Sequence, residues 1–63
     1  MLPNIYIKGT NAAKETFILD VWSMDEISRI TPETSSLIDT IDYIVAKVAE
    51  LHPDMKVVAR TRK

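Results

Sequence analysis

One apolar stripe between residues 37 and 51 constrains the fold of this chain more than any other feature. The stripe repeats at three- and four-residue spacing and consists of Leu37, Ile41, Ile44, Val45, Val48 and Leu51, with Ile38 widening it. Charged residues in the same stretch fall largely on other sides of the predicted helix. A helix with a single apolar stripe must bury that stripe against another element. We therefore expect a long helix that packs on one face of a sheet.

Local signals predict where the helices begin and end. Thr31-Pro32-Glu33 combines a hydroxyl at the N-cap, proline at the first helical position and an acid in the first turn, so it predicts that the long helix begins at Pro32. Pro53 ends this helix after His52. Ser23 and Glu26 have the spacing of a capping box, which predicts a short helix over residues 24–30.

β-branched and aromatic residues between turn signals predict three strands. These strands are Ile5 to Lys8, Thr16 to Trp22, and Met55 to about Arg62. A helix over residues 16–22 is the alternative for the second strand, because Phe17, Val21 and Met24 are also helix-spaced.

The sequence therefore predicts one α+β domain over residues 1–63, with two layers and the order strand, strand, short helix, long helix, strand. The strand order in the three-stranded sheet stays open. If the second and third strands are neighbours, the helical crossover makes them parallel, and if the first strand lies between them, the sheet is antiparallel.

Alternation along the strands assigns their side chains to two faces. The face toward the helix receives Ile5, Ile7, Phe17, Leu19, Val21, Met55, Val57 and Ala59, and the other face receives Tyr6, Lys8, Ile18, Asp20, Trp22, Lys56, Val58, Arg60 and Arg62. Since one long helix covers one face, we expect the second face to be open. The candidate partner-binding residues on it are Tyr6, Lys8, Ile18, Trp22, Val58, Arg60 and Arg62. In the alternative interpretation, Trp22 folds back over the short helix.

Composition argues against several classes of function. The chain has no cysteine, which excludes disulfides and thiolate metal sites and favours a reducing, cytoplasmic location. No apolar run approaches the roughly 20 residues that a membrane-spanning helix needs. The lone His52 has no paired acid or nucleophile nearby in the sequence, so we expect no enzyme activity, no cofactor or metal and no small-molecule substrate.

These features favour a non-enzymatic protein-binding module that self-associates as a homodimer or docks on a larger host protein as an adaptor or inhibitor. The alternative is a single-stranded nucleic-acid-binding module, because Lys56, Arg60, Arg62 and Lys63 are half of the eight basic residues and the same face carries aromatic side chains. The net charge of −1 weighs against that alternative. The predicted order of elements resembles small bacteriophage proteins that inhibit a host RNA polymerase, and this resemblance implies a bacteriophage or accessory origin.

Overall fold

The computed structural model describes residues 4–62 and confirms the two-layer α+β fold. Its elements are β1 (Asn4–Thr10), β2 (Thr16–Ser23), α1 (Met24–Ile30), α2 (Leu37–Leu51) and β3 (Lys56–Arg62). The sheet order is β2-β1-β3, and both pairings are antiparallel. The first strand therefore lies between the other two, which selects the antiparallel alternative. Residues 16–23 form a strand and not a helix.

The loop between β1 and β2 is closed by Asn11. Its side-chain oxygen accepts a hydrogen bond from the Glu15 backbone at 2.9 Å, and its own backbone N–H donates to the Glu15 carbonyl at 3.0 Å. Lys14 adopts a left-handed φ of 65°, which turns the chain into β2. This loop sets the pairing at its end of the hairpin, where Thr10 lies opposite Thr16.

A β-bulge divides β2 into two halves. Opposite β1, Lys8 pairs with Ile18 whereas Ile7 pairs with Asp20, so Leu19 is the extra residue. Gly9 accommodates Leu19 there, because a Cβ at position 9 would lie 2.6 Å from Leu19 Cδ1. After the bulge, the alternation of β2 is displaced by one residue.

The hydrophobic core lies between the helices and one face of the sheet. It consists of Ile5, Ile7, Ile27, Ile44 and Val48. Ile7 from the central strand and Ile27 from α1 are completely buried. The helices therefore cover only the sheet face that carries Ile5 and Ile7. Leu37 and Leu51, at the two ends of the predicted stripe, are exposed.

The long helix begins five residues later than predicted. Ser36 is its N-cap, and Ser36 and Asp39 form a capping box in which each side chain accepts a hydrogen bond from the other's backbone N–H. Thr31 instead ends α1: its hydroxyl donates to the Ile27 carbonyl at 2.6 Å and contacts the Thr40 hydroxyl at 2.7 Å. The prediction of a start at Pro32 is wrong because Thr31 closes the preceding helix. The short helix with its capping box at Ser23 and Glu26 is confirmed.

We expect Ser36→Ala to lower the free energy of unfolding by about 1 kcal/mol, because it leaves the Asp39 N–H without its capping oxygen. Urea unfolding followed by circular dichroism measures this change. Ser35→Ala is the matched control, since no hydrogen bond of the Ser35 hydroxyl occurs in the described part of the chain. Equal losses in the two variants would contradict the assigned helix start.

We expect Ile7→Val to lower the free energy of unfolding by about 1 kcal/mol, because removal of one methylene group leaves a small void in the core. Ile38→Val removes the same group from a side chain that is 68% exposed and should change stability by less than about 0.5 kcal/mol. The two urea midpoints test the placement of the core, and a larger effect at Ile38 would contradict it.

Candidate partner-binding face

The sheet face opposite the helices, which we call the open face, is built from four rows of paired residues. From one end of the sheet to the other the rows are Ser23, Asn4 and Arg62; Val21, Tyr6 and Arg60; Ile18, Lys8 and Val58; and Thr16, Thr10 and Lys56. Each row runs from β2 through β1 to β3. The side chain of Arg62 lies outside the described residues, so the register places only its backbone. The structure therefore brings together Tyr6, Lys8, Ile18, Val58 and Arg60 from the predicted set.

The two middle rows of the open face are apolar on the β2 side. Ile18 is 57% exposed and Val21 is 45% exposed, whereas Tyr6 on the neighbouring strand is half-buried. Branched aliphatic side chains this exposed on adjacent rows form a continuous apolar surface with Tyr6. Val21 lies on the open face, whereas alternation along the strand predicted it on the side toward the helix.

The β3 side of the open face is basic. Lys56 and Arg60 are exposed on β3, and Lys8 is half-buried on β1. The ion pairs of the described residues join Arg29 to Asp25 and Lys47 to Glu50, all on the helices. Among the side chains that the structure describes, the cations Lys8, Lys56 and Arg60 of the open face therefore have no carboxylate partner. None of the positions on this face is Asp or Glu.

The structure corrects the predicted position of Trp22. Trp22 pairs with Ile5 and packs against the core cluster, so it lies on the helix side of the sheet. Asp20 pairs with Ile7 on the same side and accepts a 2.8 Å hydrogen bond from the Trp22 indole Nε1. The physical reason is the bulge at Leu19, which displaces the alternation of all later β2 residues. No local pattern in the sequence marks a bulge at this position.

The bulge changes the chemistry of the open face. The face predicted from the sequence contained Asp20 and Trp22, and the folded chain presents Val21 there instead. The face therefore has neither the second aromatic side chain nor the one acid that were predicted for it. Tyr6 is then the one aromatic side chain among the described positions of the face. The face that results has apolar side chains in the middle of β2, cations on β1 and β3, and uncharged polar residues on β2 and β1 in its two end rows.

A groove of about 410 Å³ lies where the end of α1 and the α1–α2 connection meet α2. It is lined by Ile30, Pro32, Ser35, Asp39, Thr40 and Tyr43. Two of its polar side chains already have partners, because Asp39 belongs to the capping box and the Thr40 hydroxyl contacts Thr31, which leaves the Ser35 and Tyr43 hydroxyls. The groove therefore offers few convergent polar groups of the kind that orient a small ligand.

The described residues contain no group of three or more His, Cys, Asp or Glu side chains that could hold a metal ion. In the same part of the chain, no helix is long and apolar enough to cross a membrane. His52 serves as the C-cap of α2, where its backbone N–H donates to the Val48 and Ala49 carbonyls.

We expect Trp22→Ala to lower the free energy of unfolding by about 2–3 kcal/mol, somewhat less than the loss typical of a fully buried aromatic side chain. Val21→Thr, at the adjacent exposed position, should change it by less than about 0.5 kcal/mol. Circular dichroism during urea unfolding measures both variants. Tryptophan fluorescence cannot serve here, because Trp22 is the only tryptophan and the substitution removes it. A stable Trp22→Ala variant would place the indole away from the core.

No protein-family model matches this chain, and neither a curated protein nor a solved structure is detectably similar to it.

Proposed function

We propose that this chain is a small protein-binding module that uses the open face to dock on a larger protein. The observation that carries the proposal is an uncovered sheet face in which Ile18 and Val21 expose apolar surface beside Lys8 and Arg60. Protein interfaces combine exposed apolar surface with neighbouring polar and charged surface, as this face does. A small domain also gains stability from surface that a partner covers.

The charge of the face favours a different protein over a second copy. Two open faces packed with β3 over β3 would bring Lys56 and Arg60 of one chain against the cations of the other. Like charges across an interface oppose association. Self-association through this face therefore ranks below docking on another protein, as an adaptor or inhibitor of accessory or bacteriophage origin. The absence of cysteine supports a cytoplasmic setting for this proposal.

Single-stranded nucleic acid is the second candidate, and the basic β3 side supports it. Base stacking needs exposed aromatic platforms, however, and the described face keeps only Tyr6. The position of Trp22 against the core therefore favours a protein partner.

Ile18→Asp tests the proposal, because it places a charge in the apolar half of the open face without disturbing the core. Ile38→Asp is the matched control on α2, with a side chain that is 68% exposed. We expect Ile18→Asp to reduce the retention of proteins from a cytoplasmic extract by at least about tenfold, and Ile38→Asp to preserve it.

Light scattering of the purified variants should accompany this comparison, so that self-association is measured separately. Retention that persists in Ile18→Asp but is lost in Ile38→Asp would contradict the proposal and place the binding site on the helical layer. Circular dichroism of both variants checks that each is folded.

A further inference from the structure

We infer that the partner element on the open face is an amphipathic helix with a row of acidic side chains. This inference rests on the proposed function and names the chemistry of the partner for the same face. It is carried by three features of the face: the separation of apolar and basic columns, the spacing of the cations, and the width of the sheet.

The columns of the open face differ in chemistry from one edge to the other. Along β2 the face presents Val21 and Ile18 between the polar Ser23 and Thr16, whereas along β3 it presents the cations Arg60 and Lys56 on either side of Val58. A partner that lies along the strands would therefore meet apolar surface on one flank and positive charge on the other. A helix with apolar and acidic sides next to each other has the matching arrangement.

The cations are spaced to match acids on one side of a helix. Arg60 and Lys56 lie on β3, and Lys8 lies in the row between them on the neighbouring strand β1, roughly 4.8 Å to the side, so the three cations occupy three successive rows. Successive rows are two strand residues apart, or roughly 6.6 Å. Acids at positions i, i+4 and i+8 of a helix rise by roughly 6 Å from one to the next. Three such acids would each reach one of the three cations.

The size of the face fits one helix. Three strands separated by roughly 4.8 Å place the β2 and β3 backbones roughly 10 Å apart. A helix with its side chains is about 10–12 Å wide, and one of about 15 residues spans the length of the seven-residue central strand. One helix would therefore cover the open face and produce a three-layer arrangement.

The helical layer on the opposite side of the molecule is predominantly acidic, so the two sides differ in charge. The segment that forms the helical layer carries Asp25, Glu26, Glu33, Asp39, Asp42 and Glu50 against Arg29 and Lys47. An acidic partner is therefore repelled from that layer and attracted to the sheet. Long-range attraction of this kind orients partners before contact.

A pair of synthetic peptides tests the inference. The first is a helix of about 15 residues with leucines on one side and Glu at i, i+4 and i+8 of the adjacent side, and the second has Gln at the same three positions. We expect the Glu peptide to perturb the amide chemical shifts of Tyr6, Ile18 and Val58. The Gln peptide should bind about tenfold more weakly, and higher salt should reduce this difference.

Protein variants locate the charge effect. Arg60→Gln should weaken binding of the Glu peptide severalfold and leave the Gln peptide unchanged. Lys14→Gln is the matched control, because Lys14 is exposed in the β1–β2 loop and is absent from the rows of the open face. An equal effect of both substitutions on the Glu peptide would overturn the assignment of its acids to the open face.

The outcomes separate this inference from the proposed function. If both peptides bind the open face equally, the face is a protein-binding surface but the acidic row is wrong. If neither peptide perturbs the face, the helical partner is wrong, and the Ile18→Asp and Ile38→Asp comparison alone decides the proposed function. Tighter binding of oligodeoxythymidylate than of the Glu peptide at the same residues would overturn the inference in favour of nucleic acid.

Discussion

The burial of Ile5 and Ile7 beneath the two helices is the contact on which both layers depend. These residues lie on the central strand, and Ile27, Ile44 and Val48 cover them from α1 and α2. β1 pairs with both other strands, and paired residues lie on the same side of a sheet. The burial of Ile5 and Ile7 therefore determines which side of the whole sheet faces the helices. The open face follows from the same contact, since the helices that bury one side leave the other uncovered.

Much of the fold is predictable because its signals are local. The stripe of α2, the capping box at Ser23 and the β-rich segments each depend on residues close together in the sequence. The start of α2 is harder to predict from the sequence. Thr31 has the chemistry of an N-cap, but its hydroxyl donates a hydrogen bond to the Ile27 carbonyl of the preceding helix. Choosing between Thr31 and Ser36 requires knowledge of where α1 ends.

The candidate site was only partly predictable for a different reason. Alternation placed Tyr6, Lys8, Ile18, Val58 and Arg60 correctly on the face opposite the helices, since the register of β1 with β3 is regular and these positions lie before the bulge or on the other strands. Trp22 was placed on the wrong face because a bulge depends on pairing across the sheet and not on the identity of Leu19. The error matters chemically, since it would give the face an indole and a carboxylate that the folded chain keeps on the helix side.

The bulge also has a consequence for how the sequence can diverge. One half of β2 takes its register from the loop closed by Asn11, and the other half takes its register from the helix junction at Ser23. Leu19 absorbs the one-residue difference between the two. Loss of a residue at this point in a descendant gene would give a regular strand without turning either half over. The two faces of β2 would therefore keep their side chains if one residue were lost at its centre.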